Sequence, residues 1–156
     1  NPLMDENQTA WGKADRWCWG EKPEHIHPIV EPLVNTLYEL RRPVEGLKDQ
    51  LIHGDLSLAN ILIAPHLPPA FIDLSPFWRP VEFALGMYAN WVGPRQGDIS
   101  VLKYFQHMKA FDQMLVRASI RMLLVMHVLG DLEDWETCSE KKAAELVISY
   151  VQEKRK

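Results

Sequence analysis

The sequence lacks several features that mark common classes of protein. Its 156 residues include only two cysteines, Cys18 and Cys138, which lie far apart in the chain. Two distant cysteines do not make the disulfide framework of a small secreted domain, so we expect two reduced thiols. No apolar run approaches the roughly 20 residues that span a bilayer, and the first residues form no charged-then-apolar leader. We therefore expect a cytoplasmic protein with no membrane partner and no signal peptide.

An excess of basic charge is also absent. The formal net charge is −4 at pH 7, which gives no general positive surface for a phosphate backbone, so we expect no nucleic-acid partner. Glycine is sparse ahead of residue 53, where Gly12, Gly20 and Gly46 are isolated and form no phosphate-cradling loop. With 47% hydrophobic and 24% charged residues, the composition is typical of a globular protein. The length predicts one domain over residues 1–156.

The apolar pattern predicts a mainly α-helical fold with one small β-hairpin, an α+β fold class. Apolar residues recur at helical spacing in three clear segments, and a shorter helix is expected before the last of them. The four predicted helices span residues 29–42, 81–92, 99–110 and 111–129. Gly130 follows as a stop signal.

The two ends of the chain have different patterns. Thr137 and Glu140 have the spacing of a capping box, which predicts a final helix that runs to about Glu153. Residues 1–28 show no clear period, so we expect an irregular segment anchored by burial of its three tryptophan rings. Residues 81–156 are accordingly expected to be helical throughout, apart from their loops.

Residues 51–80 predict a loop followed by the hairpin. The apolar runs 61–63 and 70–72 are rich in strand-forming residues, and the segment between them contains three prolines. If the two runs pair antiparallel about this turn, position 61 faces position 72 and position 60 faces position 73. The predicted register therefore brings two polar positions together at the open end of the hairpin.

Three polar side chains meet at that end in this prediction. Asn60 and Asp73 lie side by side, and Asp55 lies in the loop that leads to them. Each could serve a local role, since Asp55 could cap a turn while Asn60 and Asp73 satisfied nearby backbone groups. Two carboxylates and an amide oxygen in one place are, however, the hard ligands that magnesium accepts, and the combination favours a metal site.

The same residues carry a family resemblance. His53-Gly54-Asp55-Leu56 followed by Asn60, with Asp73 thirteen residues further on, resembles the catalytic loop and metal-binding aspartate of the aminoglycoside phosphotransferase, choline kinase and fructosamine kinase group. That group has a protein-kinase-like fold. The resemblance covers roughly residues 29–130 and implies that this chain is the C-terminal lobe of such a fold.

The resemblance also implies a chemistry. The activity would be transfer of a phosphoryl group from ATP, or another nucleoside triphosphate, to a hydroxyl of a small polar molecule such as an amino sugar or aminoalcohol. Asp55 would be catalytic and accept the proton of that hydroxyl. Asn60 and Asp73 would hold the Mg²⁺ ions that bridge the nucleotide phosphates. His53 would be a structural residue of the loop and not a base.

Two departures from the family pattern are visible. After Asp73 comes Leu74 in place of the usual Trp-Gly or Phe-Gly, and residues 75–80 read Ser-Pro-Phe-Trp-Arg-Pro, a variant that resembles phosphotransferase-like proteins of no assigned function. Family members also place a small sheet, with a phosphate-covering loop and a lysine, before the catalytic loop. Residues 1–52 contain no run of alternating strands, so we expect this N-lobe to be missing.

Three interpretations follow. The chain is the C-lobe of a phosphotransferase whose N-lobe was removed, lost or is supplied by another chain, or it is a catalytically inactive kinase-like binding or interaction module. A third interpretation, an enzyme remodelled to use Asp55 as a general acid or base in other chemistry, has no specific support. If the open cleft is apolar, a second chain or self-association is expected to cover it.

Five other polar residues are weaker candidates. Glu82 and Asp98 are carboxylates that could meet an amine of the substrate. Arg79 is expected to pair with an acid that locks its turn and not to bind an anion. His25 and His27 form an H-x-H pair, but no nearby cluster completes a four-ligand metal set, so we expect surface histidines.

Overall fold

Five α-helices and four short strands make up the part of the chain, residues 9–156, that this computed structural model describes. The helices are α1 (Ala10–Trp19), α2 (Glu31–Leu40), α3 (Val81–Val92), α4 (Phe111–Leu129) and α5 (Ser139–Glu153). The strands are β1 (Asp49–His53), β2 (Ile61–Leu62), β3 (Ala70–Phe71) and β4 (Pro76–Pro80). Single 3₁₀ segments occur at Leu58–Asn60, Pro94–Gln96 and Ser100–Tyr104. The architecture is thus the mainly helical α+β class that the sequence predicts.

Helix α4 is the centre of the core. It packs against α1, α2, α3 and α5, and most of its nineteen residues are buried, because a helix surrounded on all sides has no solvent face. Its predicted bounds are confirmed, and it ends at Gly130, whose φ of 71° is the left-handed conformation that glycine adopts readily. Helix α3 also has its predicted bounds. It lies so close to α4 at Gly86 that a Cβ there would be only 2.6 Å from Met114 Cβ.

The prediction that residues 1–28 are irregular is wrong for Ala10–Trp19, which form α1. Thr9 caps this helix by accepting a hydrogen bond from Gly12 N at 3.0 Å, and the helix packs on α4. Its buried face includes Gly12 and Asp15 beside Ala14 and Cys18, so the sequence shows no apolar stripe. The part of the prediction that concerns residues 1–8 lies outside the described residues.

Three other helix predictions need adjustment. Helix α2 is shorter than the predicted 29–42. Residues 99–110 form only the 3₁₀ segment and turns. Leu102 is the one buried residue of Ser100–Tyr104, and a single buried residue does not define a helical face. The cap of α5 is Cys138, whose Sγ accepts from Lys141 N at 3.3 Å. Thr137 instead donates to Asp134 O at 3.1 Å. Helix α5 ends at Glu153 as predicted.

The predicted hairpin forms, but its register differs by one residue. Strands β2 and β3 pair Ile61 with Phe71 and Leu62 with Ala70, so position 60 faces position 72 and not position 73. The turn between the strands fixes this register, and Asp73, whose φ of 53° is left-handed, does not extend the strand. Asp73 therefore lies one position beyond the ladder.

A second strand pair was not predicted. Strand β1 pairs antiparallel with β4, from Asp49 opposite Pro80 to His53 opposite Pro76. Pro76 and Pro80 make β4 unlike a strand in sequence, because proline has no N–H to donate to a ladder. A two-stranded ladder has an unpaired outer edge on each strand, so an N–H that faces this edge is not needed. The pair fixes both ends of the segment 49–80 that contains the candidate site.

Both cysteines are free thiols, as expected, with Cys18 buried and Cys138 partly exposed. Among the described residues, no helix combines the length and the hydrophobicity that crossing a bilayer requires.

Candidate functional site

His53 ties the predicted catalytic loop to the hairpin. Its Nε2 lies 2.9 Å from Ile72 O, and its Nδ1 lies 3.2 Å from Asp55 N. Since a carbonyl oxygen can only accept and a backbone N–H can only donate, Nε2 carries the proton and Nδ1 accepts. Both ring nitrogens are thus occupied by backbone groups, which agrees with the structural role expected for His53.

Gly54 allows the loop to pass close to β4. Its N–H donates to Ser75 O at 2.6 Å. A Cβ at this position would lie 2.1 Å from Phe77 Cδ2 and 2.9 Å from Ser75 O, far inside normal contact distance. No side chain larger than hydrogen fits without displacement of the Phe77 ring.

The structure brings Asp55 and Asn60 into direct contact. Asn60 Nδ2 donates to Asp55 O at 2.9 Å and to Asp55 Oδ2 at 3.1 Å. The 3₁₀ segment Leu58–Asn60 makes this contact possible by folding the chain back on the loop, and Asn60 is buried there. Because the amide nitrogen of Asn60 is engaged, its Oδ1 is the atom left for a ligand.

Asp73 is joined to this pair through the backbone. The preceding residue, Ile72, donates its N–H to Asn60 O at 3.1 Å and accepts from His53 with its own carbonyl. The side chain of Asp73 is exposed, and within residues 9–156 it makes no hydrogen bond or ion pair. One set of hydrogen bonds thus holds Asp55 and Asn60 in contact and fixes Ile72, the residue that precedes Asp73.

The donor set is compatible with magnesium but is not a complete protein cage. Within the described part of the chain, no group of three or more histidine, cysteine or acidic side chains lies close enough to hold a metal. Asn60 and Asp73 offer an amide oxygen and a carboxylate. Magnesium typically takes one or two carboxylates from the protein and completes its six ligands with waters and substrate phosphates.

A cavity of about 50 Å³ opens beside Asp55. Its walls come from the loop, from α3 and from α4, and α5 reaches it through the ion pair of Arg95 with Glu140 at 2.7 Å. The residues that line it are Asp55, Leu56, Met87, Asn90, Trp91, Arg95, Ala118, Arg121 and Met122. Apolar and polar residues both line it, as in a small-molecule site, but its volume is far below the roughly 300–1,000 Å³ of a site for a drug-sized ligand, so it fits only a small group.

Sequence analysis missed Arg121, the most deeply buried polar group of this wall. Its side chain is only 2% exposed, and burial lowers the pKa of its guanidinium although the carboxylates of Asp15 and Asp55 act in the opposite direction. The sequence contains one signal for it. Arg117 and Arg121 lie one helical turn apart and interrupt the apolar pattern of the core helix.

The weaker candidates lie elsewhere. The lining of the cavity does not include Glu82 or Asp98, and the Asp98 carboxylate accepts a hydrogen bond from Ser100 N at 2.8 Å. Arg79 pairs with an acid, as expected: its Nη2 lies 2.7 Å from Oδ2 of Asp15, a buried residue of α1. This ion pair joins β4 to α1 behind the site.

The side of the β1–β4 pair away from the core is apolar and open. Leu51, Leu74 and Trp78 are 59%, 62% and 65% exposed. Leu51 and Leu74 line a shallow groove together with His53 and Phe71. Because His53 belongs to both, this groove and the candidate site share an edge.

In comparisons with protein-family models, with curated proteins and with solved structures, no match to this chain was found. The geometry of the site itself therefore carries the functional argument.

Proposed function

We propose that this chain is the C-terminal lobe of a phosphotransferase that transfers a phosphoryl group from ATP, or another nucleoside triphosphate, to a hydroxyl of a small polar molecule in the cytoplasm. The observation that carries the proposal is the contact between Asp55 and Asn60 at the edge of a cavity, with Asp73 tied to them through the backbone of Ile72. No requirement of the fold places two carboxylates and an amide at the end of one hairpin.

Asp55 is the proton acceptor in this proposal. Its Oδ2 accepts from Asn60 Nδ2, which fixes the carboxylate and leaves its other lone pairs for a hydroxyl in the cavity. As the hydroxyl proton passes to Asp55, the substrate oxygen forms a bond to the γ-phosphorus. The bond between that phosphorus and the β,γ-bridging oxygen breaks, and the nucleoside diphosphate leaves.

Asn60 and Asp73 are the residues that would hold magnesium. Asn60 Oδ1 and the exposed Asp73 carboxylate are hard oxygen donors, so the residues fit the ion. Magnesium, when bound, supplies neutralisation of charge on the nucleotide phosphates. His53 contributes by holding Ile72, and with it Asp73, at a fixed distance from the loop.

The open apolar face suggests how the nucleotide cleft is completed. A lone lobe with Leu51, Leu74 and Trp78 exposed carries a cost that a covering protein surface removes. We assign that role to a second chain, which would supply the phosphate-covering loop and lysine, or to a second copy of this chain, which would cover the apolar face without supplying them. The same face is the observation that favours the alternative, in which the lobe is a catalytically inactive interaction module.

Calorimetric titration of ATP into the chain tests the proposal. We expect binding that requires Mg²⁺, is lost in Asp73→Asn and is retained in Asp55→Ala. The second variant is a suitable control because Asn60 Nδ2 keeps its 2.9 Å hydrogen bond to the backbone oxygen of residue 55. Absence of heat at millimolar nucleotide, in a chain that circular dichroism shows to be folded, would refute a nucleotide site in this lobe and support the interaction module.

A further inference from the structure

Arg121 is a buried cation in the wall of the cavity. It lies in the middle of α4, its side chain is 2% exposed, and it lines the same cavity as Asp55. An arginine keeps its charge at any physiological pH, so this position brings a permanent positive charge into the interior.

The contacts of this guanidinium do not neutralise it. Its Nη1 lies 3.4 Å from the sulfur of Met87, a weak acceptor, and its Nε has no hydrogen-bond partner. The rings of Trp11 and Phe77 lie 5.3 Å and 5.0 Å from its Cζ. Within residues 9–156, no carboxylate lies within ion-pair distance of it, and Asp15 and Asp55 act on its charge only from further away.

Two neighbouring arginines have oxygen acceptors that Arg121 lacks, although the Nε of Arg117, like that of Arg121, has no hydrogen-bond partner. Arg117, one turn earlier in α4, donates to Gln113 Oε1 at 3.2 Å and to Arg42 O at 2.8 Å. Arg95, on the opposite wall of the cavity, pairs with Glu140. A buried charge without a close partner is costly, and an oxyanion bound in the cavity would supply that partner.

We propose that Arg121 is an anion-binding subsite of the cavity, and that the acceptor molecule carries an oxyanion, such as a carboxylate or a phosphate, in addition to its reactive hydroxyl. The inference rests on the proposed function for the role of the hydroxyl. It gives the acceptor a polarity opposite to that of the aminoalcohols and amino sugars of the resembled family.

The arrangement of charge in the cavity supports this orientation. Arg121 lies on the α4 wall and Asp55 on the loop wall, so one small molecule can direct its oxyanion to the first and its hydroxyl to the second. A guanidinium presents several N–H donors in a plane that matches the two oxygens of a carboxylate or phosphate. A cationic acceptor would instead place its charge against Arg121.

Titration of small oxyanions into the whole chain tests the subsite without nucleotide or magnesium. The probes are acetate and inorganic phosphate at constant ionic strength, with choline chloride as the cationic control, and binding is followed by calorimetry and by the rise in Tm. We expect saturable binding of at least one oxyanion and no response to choline. Arg121→Met should weaken that binding about 10- to 100-fold, the value of a lost charged hydrogen bond.

Three further variants separate the explanations. Arg121→Lys keeps the charge and should retain part of the affinity, whereas Arg117→Met, which removes a buried guanidinium outside the cavity, should leave the affinity unchanged. Asp55→Asn should tighten oxyanion binding, because it removes a negative charge from the same cavity. Equal affinity in wild type and both Arg121 variants, or no saturable binding by the wild type, would overturn the subsite.

The test also distinguishes this inference from the proposed function. Asp73→Asn should abolish binding of Mg²⁺–ATP and leave oxyanion binding intact. Oxyanion binding that depends on Arg121, without nucleotide binding, would refute the phosphotransferase and support the subsite. Nucleotide binding without oxyanion binding would support the phosphotransferase and refute the subsite. Competition between acetate and Mg²⁺–ATP would show that Arg121 meets the donor phosphates, which would overturn its assignment to the acceptor.

Discussion

The Gly54→Ala substitution is a sharp test of how the candidate site is built. The added Cβ would lie 2.1 Å from Phe77 Cδ2, 2.6 Å from Cε2 and 2.9 Å from Ser75 O. Either the Phe77 ring or the loop must move, and overpacking of this kind costs about 1–3 kcal/mol. If the loop moves, the hydrogen bond from Gly54 N to Ser75 O is lost and adds about 1 kcal/mol. We therefore expect a total loss of about 2–4 kcal/mol, a fall in Tm of roughly 4–16 °C for a chain of this size.

Thermal and urea denaturation, followed by circular dichroism, measure this loss. A double-mutant cycle with Phe77→Leu isolates its cause, because the smaller side chain makes room for the new methyl group. We expect Gly54→Ala to cost less in the Phe77→Leu background, with a coupling energy of about 1 kcal/mol or more. Additive effects, or a Gly54→Ala variant as stable as the wild type, would refute the close approach of loop and strand.

Two further predictions concern ionisable groups away from the cavity. Arg79→Met should destabilise the fold by about 3–5 kcal/mol and more than Asp15→Asn, because it leaves the buried Asp15 carboxylate unpaired. Burial, only partly offset by Arg79, raises the pKa of Asp15 above its ordinary 3.8. The stability that this group contributes is therefore full below pH 3.8 and is lost as the pH rises through the raised pKa. Urea midpoints should therefore fall towards neutral pH more steeply in Arg79→Met than in the wild type, and equal slopes would contradict the assignment. Burial, with His25 and His27 nearby, lowers the pKa of His127 below 6.5, so stability is full above that value and is lost as the pH falls through it. His127→Gln should flatten this acid-side loss in urea midpoint between about pH 7.5 and pH 5.5, and an unchanged profile would refute it.

The elements that sequence predicted well are those whose burial is uniform. Residues 81–92 and 111–129 match α3 and α4 because each helix packs apolar side chains at every turn, so period and bounds are visible together. Gly130 marks the end of α4 for a local reason, its left-handed backbone. The motif also predicted that Asp55 and Asn60 lie close together, whereas the predicted position of Asp73 opposite Asn60 is wrong by one residue.

The elements that were missed depend on partners distant in the chain. Helix α1 buries Asp15, which is tolerable only because Arg79 of β4 reaches it, so no local pattern predicts the helix. The pairing of β1 with β4 joins segments that only the folded core brings together. The register of the hairpin depends on the conformation of the turn between its strands, which residue type alone does not fix.

The Phe77 ring lies between the loop that carries Asp55 and the guanidinium of Arg121. One edge of it lies where a Cβ of Gly54 would be, and its face lies 5.0 Å from the Arg121 guanidinium. The loop that carries Asp55 is therefore positioned against a side chain that itself rests on the buried cation of α4. An oxyanion that draws Arg121 towards the cavity would weaken its contact with that ring. If an oxyanion binds at Arg121, we expect it to shift the position of the Asp55 loop through the Phe77 ring, and Phe77→Leu should reduce that effect.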